Sequence, residues 1–227
     1  WQHRKLAAPL PLLPAMICLL HGYLLEGSGS NLWTRAIVDA LARGGKTVHL
    51  MAQENHPDRY AAIKEAHHYL PDGTVESWHR ERPAYEGGCI LHRPELGDTL
   101  PVYVWDRYED FGRVVPMVDL SDAEIDEYLD RNVSVLLRVV EENPITALHA
   151  NHAVLMSVVA QQVSARTGLP YSIMPHGSAL EYALKRDPRF LAMAATAFAE
   201  AKKVFVIGAE MRDQGREVVM IGHEGHP

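Results

Sequence analysis

Histidines and glycines mark where this chain could do chemistry. The tetrapeptide His149-Ala150-Asn151-His152 and the run His176-Gly177-Ser178 each follow a short apolar stretch directly. A third group, Gly27-Ser28-Gly29-Ser30-Asn31, lies between an apolar run and an amphipathic one. Imidazoles at strand ends can donate to, or accept from, sugar hydroxyls and phosphates. A glycine loop that opens a helix offers backbone N–H groups and the positive end of the helix dipole to an anion such as a diphosphate. The candidate catalytic residues are therefore His152 and His176. The candidate substrate or donor contacts are Gly27, Ser28, Gly29, Ser30, Asn31, His149, Asn151, Gly177 and Ser178.

Other chemistries fit these residues less well. The glycine loop lacks the lysine of a P-loop, and Gly27-Ser28-Gly29 matches only part of the dinucleotide fingerprint, so ATP and NAD are not expected. Its structural alternative is a plain helix N-cap in a tight turn. The 13 histidines invite a metal, but His149 and His152 stand three apart and His67-His68 are adjacent, without a helical His-Glu-x-x-His pattern. No metal and no cofactor is expected. Glu181 and Lys185 read as a solvated i,i+4 pair, and residues 54–58 and 103–108 as segments that border a cleft or run over the surface.

Composition narrows the class. The chain has 227 residues, 47% hydrophobic and 22% charged, with a net charge of -7, enough for one substantial core and without the basic field that attracts nucleic acid. Cys18 and Cys89 have no paired spacing for zinc and read as reduced thiols of a cytoplasmic protein, or one peripheral to a membrane. The apolar opening, residues 6–20, is cut by Pro9, Pro11 and Pro14, so neither a signal peptide nor a transmembrane segment is expected. Residues 1–14 read as a disordered leader.

The elements that must hold these residues alternate between short apolar runs and amphipathic helices, which predicts an α/β, Rossmann-like fold: a mostly parallel sheet with helices on both faces. Strands are expected at residues 15–20, 46–51, 145–149, 171–174 and 203–207. Between the first two, a helix with apolar positions Leu32, Trp33, Ala36, Ile37, Ala40 and Leu41 ends at Gly44-Gly45. Ser121-Asp122-Ala123-Glu124 has capping-box spacing and should start a long helix burying Ile125, Tyr128, Leu129, Leu136, Val139 and Val140, ended by Pro144. Helices are also expected over 153–167 and 188–201, the latter started by Asp187-Pro188. Residues 52–120 read as an irregular insertion with strands only near 88–92 and 101–105. In such a sheet ligands bind at the carboxyl ends of strands, so the three loops should converge on one rim, with Gly29 and His176 on the same edge.

Three stretches, HGYLLEGSGSNLWTRAIVDALARGGKTVHLMAQ, ITALHANHAVLMSVVAQQVSARTGLPYSIMPHGSALEY and FAEAKKVFVIGAEMRD, resemble the N-terminal domain of the retaining glycosyltransferases of family 4, which have two facing Rossmann-like domains. The resemblance spans residues 21–213 around the divergent insertion, making 15–214 one half of a two-domain glycosyltransferase. It implies metal-free transfer of a sugar from a nucleotide diphosphate sugar, with retention, to a sugar, lipid or small-molecule acceptor. The glycine loop would approach the donor phosphates or the acceptor, His176-Gly177 matches the family's His-Gly motif, and position 151 or 152 takes the place of its strand-end histidine. Most donor contacts would come from a missing C-terminal domain, so the chain alone should not turn over.

Two further readings stand beside this one: a non-catalytic binding subunit that partners a separate catalytic domain, and a histidine-rich metal hydrolase. The tail, residues 215–227, is atypical for the family and resembles a short motif of hydroxymethylbutenyl diphosphate reductase, without that enzyme's cluster cysteines.

Overall fold

The computed structural model describes residues 15–104, 108–209, 211–213, 215, 216 and 218. The expected leader at 1–14 and most of the expected tail at 215–227 lie outside them. In chain order the elements are β1 (Ile17–Leu20), α1 (Gly29–Arg43), β2 (Thr47–Met51), β3 (Ile63–Tyr69), β4 (Val75–His79), β5 (Gly88–Pro94), β6 (Thr99–Val102) and β7 (Arg113–Pro116). There follow α2 (Asp122–Glu142), β8 (Ala147–Asn151), α3 (Met156–Thr167), β9 (Tyr171–Met174), α4 (Gly177–Ala179) with a π-helical turn (Leu180–Leu184), α5 (Pro188–Glu200) and β10 (Lys203–Val204).

Eight strands form one sheet in the order β10-β9-β8-β1-β2-β5-β3-β4, and β6 pairs with β7 apart from it. Every neighbouring pair is parallel except the β3–β4 hairpin. Strands buried on both faces read as continuous apolar runs, and β1 is such a run: Cys18 and Leu20 enter one core, Leu19 the other. α2, α3 and α5 supply the first core through Leu136, Val159 and Phe190. α1 covers the opposite face through Val38 and Ala42. The α/β, mostly parallel architecture with helices on both faces is thus the one expected.

Its details differ in three places. Residues 52–120 are not mainly loop: β5 stands at the strand expected near 88–92, and the unexpected β3 and β4 join it to extend the central sheet and close its edge. β3 carries Lys64, Glu65, His67 and His68, so it lacks the apolar run that signals a buried strand. The buried stripe of α1 is Asn31, Thr34, Val38 and Ala42, while Leu32 is half exposed. The helix turns a polar first two turns inward because, as shown below, partners await them. The helix expected from 153 begins at Met156, after a turn in which His152 and Leu155 adopt positive φ of 86° and 58°.

Local signals hold elsewhere. Ser121 and Glu124 form both halves of the capping box, and the Asp187 carboxylate accepts from the Arg189 N–H. Gly45, not Gly44, takes the left-handed conformation after α1, at φ 74°. Lys185 and Glu181 pair on the surface. Cys18 and Cys89 are buried and free.

Candidate functional site

In this strand order the chain runs from β1 to β2 on one side, and β8 later adds to the other side of β1. Between β1 and β8 the order therefore reverses, the place where an open α/β sheet leaves a crevice beyond its carboxyl ends. β1 ends at Leu20, one residue before His21. β8 ends at Asn151, one before His152, and β9 ends at Met174, two before His176.

These residues meet. The His152 ring stacks on His21 with centroids 5.5 Å apart, lies 4.9 Å from His176, and is flanked by Tyr23 at 5.2 Å and Tyr103 at 4.8 Å. Trp33, one turn into α1, meets His176 edge-on at 5.8 Å. The helix opened by the glycine loop and the His176 loop thus share one edge of the sheet.

Hydrogen bonds fix the protonation of His21. Its Nε2 faces two acceptors, Leu24 O and Asn31 Oδ1, each at 3.1 Å. Its Nδ1 faces the Asn151 amide nitrogen at 3.4 Å. Nε2 therefore carries the proton and donates, and Nδ1 accepts from a neutral ring. Asn151 Nδ2 also donates to Thr34 Oγ1 at 2.6 Å, and Thr34 donates to Ser30 O at 2.9 Å. This buried chain binds the ends of β1 and β8 to the first turns of α1. It explains why α1 points Asn31 and Thr34 inward.

His152 is different. It is 1% exposed, and neither of its ring nitrogens has a hydrogen-bond partner. His176 Nε2 and Asn151 Oδ1 are likewise buried and unpartnered. Buried polar atoms almost always find partners, so four unanswered atoms on three adjacent residues make this cluster the candidate site. Burial lowers the pKa of His21 to about 4, aided by His176 and opposed by the Asn31 hydrogen bond. Burial and the neighbouring His21 and His176 hold His152 well below 6.5. Burial and His149 bring His176 to about 4. The cluster is neutral at pH 7, a set of hydrogen-bonding groups rather than cations. Gly22, at φ 75°, has Tyr128 Oη 2.8 Å from where a Cβ would stand, so only glycine lets the chain pass from His21 to Tyr23.

The other predicted residues fall around this centre. The side chain of Ser28 caps no helix N–H and meets Ser30 at 3.0 Å. No acidic residue occupies the first turn of α1, which leaves that end open to an anion. Gly27, at φ 95°, and Gly29 are exposed, and a Cβ on Gly29 would meet nothing. The loop touches the cluster through Asn31. His149 is held apart from the His152 ring: its Nδ1 and Ser172 Oγ are 2.8 Å apart, and its ring packs on Trp33 and Phe205. Gly177 is exposed and Ser178 half-buried at the start of α4.

Sequence reasoning undervalued His21, Tyr23, Trp33, Thr34 and Tyr103. His21 carried the same signal as His152 and His176, a histidine just past an apolar strand. Tyr103, whose hydroxyl donates to Val154 O at 2.9 Å, comes from the segment expected to border the cleft. Glu54 does so as well. It is 3% exposed, and its carboxylate accepts from the N–H groups of Leu25 and His56 and from the Tyr60 hydroxyl at 2.9 to 3.1 Å, tying the loop after β2 to the loop after β1. Among the described residues no group of three His, Cys, Asp or Glu is arranged to hold a metal ion, and no helix is long and apolar enough to cross a membrane.

No family model and no curated protein sequence matches the chain. Among solved structures it is similar to sucrose-phosphate synthase from Thermosynechococcus elongatus, with a TM-score of 0.54 and 15% identity over 89% of this chain. It also matches a Lactobacillus plantarum WCFS1 protein assigned as a cell surface hydrolase, at TM-score 0.42 and 9% identity over 93% of this chain and 90% of that one; this weaker likeness carries no argument. The chain spans 45% of the length of the sucrose-phosphate synthase. Its fold is α/β and Rossmann-like, with a mostly parallel sheet, and is similar to that of part of this synthase.

Proposed function

We propose that this chain is the acceptor-side half of a glycosyltransferase that moves a sugar from a nucleotide diphosphate sugar to an acceptor with retention of configuration. The observation that carries the reading is His152, enclosed at the reversal of strand order with both ring nitrogens unanswered. A neutral imidazole donates one hydrogen bond and accepts one, which suits a hydroxyl of the transferred sugar. His176 supplies a second unpaired nitrogen beside it. The open N-terminus of α1 suits the diphosphate through its N–H groups and dipole.

In the front-face mechanism the anomeric carbon–phosphate oxygen bond breaks as the bond to the acceptor oxygen forms on the same face. The acceptor proton passes to the departing phosphate, so no protein base is needed. The work left to the protein is orientation of hydroxyls, stabilisation of the leaving diphosphate and exclusion of water. A second lobe closing over this rim would complete the last of these.

Full-length gene product should be screened by thermal shift against nucleotide diphosphate sugars, and turnover of the best donor then measured. His176→Ala should lower kcat/KM by about 10-fold or more, the scale of a hydrogen bond made in the transition state. The product anomer, read by NMR, reports retention or inversion. Donor binding without turnover, restored by a separately encoded domain, would favour the binding-subunit reading. Wild-type kinetics in folded His176→Ala would remove this ring from the site.

A further inference from the structure

A pocket lies on the α1 face of the sheet, where the β3–β4 hairpin replaces the helix that usually connects parallel strands. Its volume is about 230 Å³ and its floor includes Ala66 and Leu91. Pockets for drug-sized ligands start at roughly 300 Å³, so this one suits a single small ring. Two larger grooves, about 410 and 400 Å³, lie beside α2 and α1; like them, this pocket contains no residue of the histidine cluster.

The walls mix donors, acceptors and one aromatic plane. Trp78 supplies the plane. Arg93 uses Nη2 against the His68 ring nitrogens at 2.8 and 3.1 Å and faces Glu95 at 3.8 Å. Asn55 Oδ1 is buried without a partner, and Glu76 adds carboxylate acceptors at the rim. A polyhydroxylated ring needs this combination: an apolar face for its C–H surface and both donors and acceptors at its edge. The lining sets the charge as well. Arg93 is outnumbered by the carboxylates of Glu54 and Glu76, so the pocket is net negative and an anionic ligand gains no attraction. Glu54 belongs to this pocket and also accepts from the Leu25 N–H in the loop after β1. One buried carboxylate is therefore shared between the pocket and the loop that leads to the histidine cluster.

We propose that this pocket is the acceptor subsite and that the acceptor is an uncharged single-ring polyol, a monosaccharide or cyclitol. The acceptor role rests on the glycosyltransferase reading above; the pocket's choice of ligand does not.

The test follows the indole N–H signals of full-length protein by NMR. Methyl α-D-glucopyranoside and myo-inositol are titrated as acceptor probes, and nucleotide diphosphate sugars in a separate arm. A polyol should shift the Trp78 signal saturably, with Kd on the order of 1 mM. Arg93→Met should abolish the shift. Asn55→Leu, which removes an atom no protein group answers, should leave the fold intact and weaken binding up to about 10-fold. Glucose 6-phosphate binding about 10-fold tighter than the uncharged sugar would overturn the charge assignment. A donor-induced shift of Trp33 with no polyol-induced shift of Trp78 would overturn the subsite and leave the transferase reading standing. A polyol shift at Trp78 with no donor effect anywhere would overturn the transferase reading and the acceptor role with it.

Discussion

Mild acid should destabilise this protein through its buried histidines. His21 and His49 are 0% and 1% exposed, and burial lowers each from an ordinary 6.5 to about 4. Both rings are neutral in the folded state and become charged on unfolding at mild acid. A depressed histidine pKa gives stability that is fully present above 6.5 and lost as the pH falls towards 4. At about pH 5 each ring contributes a loss of at most about 2 kcal/mol, or about 4 kcal/mol together. His92 and His152, both held well below 6.5 by burial and neighbouring imidazoles, act in the same direction. Such a loss is a large fraction of the roughly 5–15 kcal/mol that holds a domain together. Glu124 is lowered to about 2 by its hydrogen bonds from Ser121 and Arg113, and Asp187 is lowered by Arg189, so these groups lose their contribution only in stronger acid. Urea unfolding at about pH 7.5 and about pH 5 should therefore show the midpoint falling with the slope unchanged. Equal stabilities at the two values, or imidazole ¹⁵N shifts showing charged His21 at the lower one in the folded protein, would refute the claim of a dry, neutral cluster.

Three substitutions test the supports of the site. Gly29→Val places a side chain in open space at the start of α1, so melting should be nearly unchanged while nucleotide diphosphate sugar binding weakens; unchanged titration calorimetry would remove the loop from the site. Glu54→Gln turns one of two accepting oxygens into a donor facing N–H and O–H groups, and should cost about 1–3 kcal/mol in urea unfolding. Gly87→Ala would set a Cβ 2.4 Å from Lys46 O and 2.7 Å from Ala42 O, backbone atoms that cannot rotate away. It should lose at least about 1–3 kcal/mol by the same measurement, and wild-type stability would mean that α1 packs less tightly on β5.

Where the fold was legible, it was so because burial imposed a pattern. β9 is found at residues 171–174 as expected, and Ile125, Tyr128, Leu129, Leu136 and Val139 are all buried on α2. β5 lies where a strand near 88–92 was expected, whereas β3 was hidden for the opposite reason. β3 and its neighbours satisfy polar side chains by pairing them across strands: His92 Nε2 lies 2.9 Å from His49 Nδ1, and its Nδ1 lies 2.8 Å from the Tyr69 hydroxyl. A polar strand of this kind looks like loop until its partners are known. The same limit hid the face of α1, where Asn31 and Thr34 read as surface positions and Leu32 as core.

The candidate site was half legible as a convergence of residues. A histidine after an apolar strand can be seen in sequence, and all three such residues converge. What sequence cannot give is the difference between them. His21 spends both nitrogens on Leu24, Asn31 and Asn151 and so serves as a strut. His149 packs between Trp33 and Phe205 and meets Ser172. His152 spends neither nitrogen, although burial makes that expensive and its positive φ adds strain. A residue that stability alone selected would be an apolar ring here, because phenylalanine fills similar space without unpaired nitrogens. The deficit at His152, set beside the satisfied His21 that stacks upon it, is the physical reason that the proposed ligand is assigned to His152 rather than to any other of the 13 histidines.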